Sequence, residues 1–258
     1  MSKPIPTGYG RIIRSGETGL PVAIVEEKDA SEEQRKVTEV NSGVLAVNTS
    51  RMKDCLKQLS PDNAQGELYL TDIIELLVNE GDSVTAHRLD DANEAEGVNS
   101  RTQLQSLERV YQLSIAEQLM DAGNTLADAS RIDVRGNLET GSDNVIDVNC
   151  VFEGNVVIGS NVSIGPNCLL RDCTIGDGST ILSNSIIESS IVGEECEIGP
   201  FARVRPDTVI DRKGKLGNFV EVKKSHIGEG SKVNHLTYIG DCEMGREVNV
   251  GAGTITCN

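Results

Sequence analysis

Two pairs of residues in this chain could do chemistry. In the stretch VEVKKSHIGEGSKVNHLTYIGD, Val220 to Asp241, His235 and Tyr238 stand three residues apart, and Lys223 follows a valine directly, as Arg205 does eighteen residues earlier. A neutral imidazole near pH 7 can take a proton from an attacking amine, which suits acyl transfer from a thioester. Two cations held side by side repel each other unless an anion such as phosphate lies beside them. Asn249 could add an amide hydrogen bond to a hydroxyl-bearing ligand. Each residue also has a plainer reading, since a single Arg or Lys is usually a solvated charge and a lone His is usually structural. Only a fold that stacks them makes a site.

The spacing of aliphatic residues supplies such a fold. Beyond Asp143 they recur at Ile158, Ile164, Leu170, Ile175, Ile181, Ile187, Val192, Ile198, Val204, Ile210, Leu216, Val222, Ile227, Val233, Ile239, Met244 and Val250. Twelve of the sixteen intervals are six and four are five, and ten of these residues precede a Gly. A period of six fits neither a strand nor a helix alone. Three six-residue segments, each a short strand and a corner, make a triangular coil whose aliphatic residues point inward and stack. Gly is then expected at corners that need a positive φ. The pattern is similar to left-handed parallel β-helices of hexapeptide type, an exception to right-handed crossovers.

This geometry predicts that Ile164, Ile181 and Ile198 share one inward column. It also makes Arg205 and Lys223, each one place after its anchor, neighbours on successive coils roughly 4.8 Å apart. The next coil offers Gly240 at that position, which leaves room, with Tyr238 outward beside it. His235 lies two places after Val233, and the same step from Val250 reaches Ala252. Cys168, Cys173, Cys196 and Cys242 read as small fillers, and the two His of the repeat, His226 and His235, are too few for a three-His zinc site.

The first 98 residues read differently. Short β-rich runs (RIIRS, PVAIVEE, VNSGVLAVNT, SVTAHRL) alternate with helical patterns (SEEQRKVTEV, RMKDCLKQL, YLTDIIELLVNEG), which predicts an α/β layer with a mixed sheet. Apolar residues at helical intervals from Ser100 to Leu126 predict one long helix joining the two parts. The expected division is residues 1–99, 100–139 and 140–258.

Composition narrows the function. With 258 residues, a formal charge of −16, three Phe, four Tyr and no Trp, the chain lacks the basic patches and stacking rings of a nucleic-acid groove. Seven Cys without a CxxC pair argue against a disulfide framework or thiolate zinc site and fit a reducing compartment. No run of about 18 apolar residues and no signal-peptide pattern is present, so a cytoplasmic protein without a membrane span is expected.

The stretches GPFARVRPDTVI, GNFVEVKK, NHLTYIGD and NVGAGTITCN closely resemble the bacterial bifunctional enzymes of UDP-N-acetylglucosamine synthesis. Those enzymes join an N-acetylglucosamine-1-phosphate uridylyltransferase to a glucosamine-1-phosphate N-acetyltransferase. PTGYGRI, VEEKDA, VNSGVLAVN, NAQGELYLTDII and EAEGVNSR look like the second half of the family's Rossmann-like nucleotidyltransferase domain. The resemblance implies that His235 is the acetyltransferase base. It implies that Arg205, Lys223, Tyr238, Asn249 and Asn258 hold the sugar phosphate, and that Ala252 contacts acetyl-CoA. It also implies that Gly10, Glu26, Asn41 and Asn99 line a UDP-N-acetylglucosamine site, with Asn99 a Mg²⁺ ligand. Acetyl-CoA, glucosamine-1-phosphate, UTP and N-acetylglucosamine-1-phosphate become the expected partners, and a homotrimer the expected assembly.

Two departures from the family pattern shape these expectations. The family opens with a Gly-rich nucleotide loop, a Lys and a metal-binding Asp, none of which precedes TGYGRI here, and it continues beyond the position of Asn258 with further coils. A member truncated at both ends is therefore expected, with uridylyl transfer impaired above all. A non-catalytic trimeric β-helix scaffold is the alternative. A nucleotidyltransferase acting on another sugar is disfavoured, because the missing half would carry the chemistry.

Overall fold

A computed structural model describes residues 6–256, and the chain divides into two compact units, residues 1–107 and 108–258. In the first unit, Arg11–Arg14 pairs antiparallel with Pro21–Val25, setting Ile12 opposite Ile24. The helices Thr49–Leu56 and Ile73–Asn79 place Cys55, Ile73, Ile74 and Leu77 against Ile24 in a small core. Asn48 starts the first of these helices, its side-chain oxygen accepting from the amides of Ser50 and Arg51.

The mixed sheet expected here is reduced to that one hairpin. Of the run VNSGVLAVNT, only Val40 pairs with it, through a single bridge to Arg11, and SVTAHRL forms no strand among the described residues. A strand exists through its neighbours' backbone groups, and among the described residues no further strand lies beside these runs. Their apolar residues, Val44, Leu45, Val47 and Val84 among them, instead line an open cavity of about 680 Å³.

The long helix runs over Arg101–Asp121, shorter than the expected Ser100 to Leu126. Gly123 adopts φ +91, and the amide of Asn124 turns back to the carbonyl of Leu119 at 3.1 Å, which stops the helix. Thr125–Leu126 is already a strand of the solenoid. Within the second unit the helix also covers the solenoid's first edge. Gln112, 3% exposed, donates to the carbonyl of Val134 and accepts from its amide, both at 2.8 Å. One carboxamide thus satisfies two backbone groups that an open sheet edge would leave exposed.

From Thr125 through the remaining described residues the chain is a parallel β-helix of hexapeptide repeats. Three inward columns run its length. Ile146, Ile164, Ile181, Ile198, Leu216, Val233 and Val250 stack on the first face. Phe152, Leu170, Ile187, Val204, Val222 and Ile239 stack on the second. Ile158, Ile175, Val192, Ile210, Ile227 and Met244 stack on the third. Every anchor predicted from the repeat is buried except Val250, half-covered on the last described coil.

The corners correct one expectation. Of the ten glycines that follow an anchor, Gly199 alone has a positive φ. The left-handed residue lies further on, three places after the anchor at Asn161, Asn167, Asn184, Phe219 and Leu236, where Asn is the residue that tolerates it best. Where the next interval is five, it moves to the second place, at Asp172, Ser189, Lys224 and Asp241. The four short intervals are thus corners shortened by one residue. The post-anchor glycines serve close approach of successive coils instead. A Cβ on Gly228 would come within 2.5 Å of the Gly245 carbonyl oxygen.

Candidate acyl-transfer site

One place after each second-face anchor, the side chains point outward in a column whose charge can be followed coil by coil. It runs Arg135, Glu153, Arg171, Glu188, Arg205, Lys223 and Gly240. Cation and carboxylate alternate through the first five. Arg135 contacts Glu153 at 3.1 Å, and Arg171 spans Glu153 and Glu188, the latter at 3.0 Å. At Arg205 and Lys223 the alternation breaks, with two cations in succession and then no side chain.

Arg205 finds its carboxylate in the neighbouring column, at Glu221, 2.8 Å away. Lys223 is half-buried and makes no ion pair or side-chain hydrogen bond among the described residues. Of the two stacked cations, Arg205 is thus already occupied by Glu221. Beyond Lys223, the missing Cβ of Gly240 leaves the space that the Tyr238 ring fills, since a Cβ there would lie 2.7 Å from the phenol oxygen. The adjacent Lys224 points away, to Asp241 at 2.9 Å, and that carboxylate raises its pKa. Lys223 thus stands free between an ion pair and an aromatic ring.

Tyr238 and His235 belong to one strand, Lys232–Gly240, with His235 at the corner where the first face turns into the second. Its imidazole is exposed, and Nδ1 lies 2.7 Å from Oδ1 of Asn218, the residue paired with it on the preceding coil. Nε2 has no partner among the described residues. Asn249 is exposed on the first face, paired with Lys232, and its Oδ1 accepts from Nδ2 of Asn234 at 3.3 Å. Ala252 is exposed on the coil after His235, as expected, and Asn258 lies outside the described residues. Asn218 and Glu221 were not singled out by the sequence reading. Counting one coil back from His235 and Tyr238 reaches both.

In the first unit three of the four expected residues gather. The Asn41 amide donates to the Gly10 carbonyl at 2.8 Å, and a Cβ on Gly10 would lie 3.3 Å from a Glu26 carboxylate oxygen. Glu26 itself accepts from the Thr71 hydroxyl at 2.9 Å. Asn99 is exposed, its backbone amide donating to Gln103 at 2.8 Å, and no bond joins it to the other three among the described residues. Nor do the described residues hold a group of three or more His, Cys, Asp or Glu able to bind a metal. A lone neutral amide does not fit Mg²⁺, which takes carboxylates and phosphate oxygens. The residues described do not make a magnesium site.

Cys168, Cys173 and Cys196 are buried fillers, as expected, and Cys242 is partly covered. Burial pushes Cys150 and Cys173 up to about 12 and Cys196 to about 11, far from a reactive thiolate. Cys196 follows Ser179 in its column, and both side chains donate to a carbonyl of a neighbouring coil.

A family model described as the GMPPB C-terminal domain matches residues 134–213. The bifunctional protein GlmU of Marinobacter nauticus is 57% identical over 253 residues, which are 98% of this chain and 56% of that protein. Its counterpart in Aromatoleum aromaticum is 55% identical, again over 98% of this chain and 55% of that protein. By sequence, the chain is a relative of GlmU. It spans about 55% of the length of these GlmU proteins, and the match takes in 98% of this chain, across both units. Among solved structures, Arabidopsis UDP-N-acetylglucosamine acyltransferase is 10% identical with a TM-score of 0.25, covering 52% of this chain and 69% of its own. That likeness is too slight to carry an argument, and the GlmU relationship stands on sequence.

Proposed function

We propose that the second unit transfers the acetyl group of acetyl-CoA to the amine of glucosamine-1-phosphate, the acetyltransferase step of UDP-N-acetylglucosamine synthesis in the cytoplasm. The observation that carries this reading is the break in the charge column, which leaves Lys223 without a carboxylate in the strand next to an imidazole with a free Nε2. A sugar phosphate supplies the missing anion to Lys223 and Arg205. Tyr238 and Asn249 border the sugar, and Ala252 leaves room for the thioester. Asn258 is assigned to the sugar phosphate on resemblance.

His235 Nε2 accepts a proton from the amine as its nitrogen attacks the thioester carbonyl carbon. The new C–N bond forms, the C–S bond breaks, and the proton passes to the departing thiolate to give free CoA thiol. Resemblance makes the assembly a homotrimer. The exposed ridge of Phe201, Phe219 and Leu236 beside His235 is surface that such an assembly would cover. Uridylyl transfer from UTP to N-acetylglucosamine-1-phosphate, the second activity that the resemblance implies, finds no magnesium site in the described residues.

The test is release of CoA thiol from acetyl-CoA on addition of glucosamine-1-phosphate. His235→Ala should slow it by roughly 10²- to 10⁴-fold, the usual contribution of a general base. Release no faster than that of the His235→Ala variant would favour a non-catalytic scaffold instead.

A further inference from the structure

We infer that Asn218 is a positioning residue for His235, fixing the imidazole as its Nδ1–H tautomer so that Nε2 is the basic nitrogen. The observation is the 2.7 Å contact between His235 Nδ1 and Asn218 Oδ1. A carboxamide oxygen only accepts, so the ring nitrogen facing it carries the proton. The lone pair then resides on Nε2, the nitrogen without a partner. Histidine in water favours the opposite form, with the proton on Nε2, and in that form the lone pair lies on Nδ1, against Asn218, so Nε2 could not take a proton from an amine.

The backbone is built to allow this contact. The residues before the pair, Gly217 and Asn234, stand on the same successive coils, and a Cβ on Gly217 would lie 1.8 Å from the Asn234 carbonyl oxygen. Only Gly at 217 lets the two coils approach this closely. The short Asn218 side chain then spans the gap from one coil to the next. Leu236, at φ +45 with an exposed side chain, turns the corner immediately after His235, whose side chain is itself exposed. Coil spacing, side-chain length and corner together hold one imidazole nitrogen while freeing the other.

The tautomer stands on its own geometry, whereas its value for catalysis rests on the acetyl-transfer reading. The experiment separates the two. Nitrogen-15 NMR of the full chain, with His235→Gln to assign the signals, reports which ring nitrogen is protonated above the imidazole's titration. The parent should show Nδ1–H at His235. Asn218→Leu, of similar shape without an acceptor, should move the ring toward Nε2–H. Asn218→Asp keeps the acceptor, so it should retain Nδ1–H and raise the imidazole pKa through its charge. In the CoA-release assay, Asn218→Leu should lower kcat roughly tenfold, the loss of one hydrogen bond, with KM for glucosamine-1-phosphate little changed. Asn218→Asp should retain turnover with its pH profile displaced upward.

An Nε2–H ring in the parent, or an unchanged tautomer in Asn218→Leu, overturns the inference whatever the activity. A parent that shows Nδ1–H but releases no CoA overturns the acetyl-transfer reading and leaves the positioning intact. An active enzyme in which Asn218→Leu shifts the tautomer but not kcat overturns the role in catalysis.

Discussion

At the scale of single residues, the site is decided by which charges already have partners. Lys223 and Lys224 are adjacent in sequence, yet Lys224 is held by Asp241 and Lys223 by nothing among the described residues. Lys223→Ala should therefore weaken binding of glucosamine-1-phosphate or inorganic phosphate by about 1.5–3 kcal/mol, the value of a hydrogen bond to a charged group, while Lys224→Ala should do little. Glu221 competes with a phosphate for Arg205 at 2.8 Å. Removing its charge in Glu221→Gln should tighten phosphate binding several-fold. Titration calorimetry on the three variants checks this, and equal losses at both lysines would mean that Lys223 is only a solvated charge. The coil positions of Arg205, Lys223 and His235 were legible in the sequence because a period near six converts spacing into neighbourhood. Glu221 and Asn218 were not, since Glu and Asn on an outward position are ordinary surface residues until the coil register pairs them with Arg205 and His235.

At the scale of the elements, stacking makes each outward column a ladder in which neighbours are one coil apart. His226 shows what this does to a titrating group. Glu243 on the following coil lies 2.6 Å from Nδ1 and Asp211 lies 2.9 Å from Nε2, and these two carboxylates raise the imidazole pKa above its ordinary value. A raised pKa means that the folded chain binds the proton more tightly than the unfolded one. The stabilisation is complete below the unfolded value of about 6.5 and is lost as pH rises through the higher folded value. His226→Gln should thus lower the urea midpoint at roughly pH 5.5 and leave it nearly unchanged at roughly pH 9. An equal effect at both pH values would show that packing, not charge, is lost.

The β-helix itself was readable to the level of single anchors, because one aliphatic every six residues has no other use. The first unit was not, since VNSGVLAVNT and SVTAHRL carry strand propensity but meet no neighbouring strand among the described residues. Propensity describes a segment, whereas a sheet needs partners. The glycines misled for a related reason. Their positions mark where coils touch, which is a property of stacking, while the left-handed corners fall on Asn, Asp and even Phe, whose sequence signal is weak.

At the scale of the whole molecule, the two units differ in how much of a site they hold, and the difference sets a last expectation. The chain carries a formal charge of −16, so any anion would bind against the overall field and depend on local cations. The second unit supplies them at Arg205 and Lys223. In the first unit the residues gathered around Gly10 and Asn41 include the carboxylate of Glu26, and the nearby Arg11 is 1% exposed and already paired with Glu27 at 2.5 Å. No bond joins Asn99 to them, and no cluster of metal-binding side chains is present, among the described residues. Uridylyl transfer depends on phosphates held in line and on a fully ligated Mg²⁺ that neutralises the developing charge. The purified chain, given UTP, N-acetylglucosamine-1-phosphate and Mg²⁺, should therefore release no pyrophosphate under conditions where the same preparation releases CoA from acetyl-CoA and glucosamine-1-phosphate. Pyrophosphate release that Glu26→Gln abolishes would place a working nucleotidyl site in the first unit and overturn this expectation. Sugar-nucleotide binding without turnover would agree with it, because Gly10, Glu26 and Asn41 can still border a sugar when nothing positions the triphosphate.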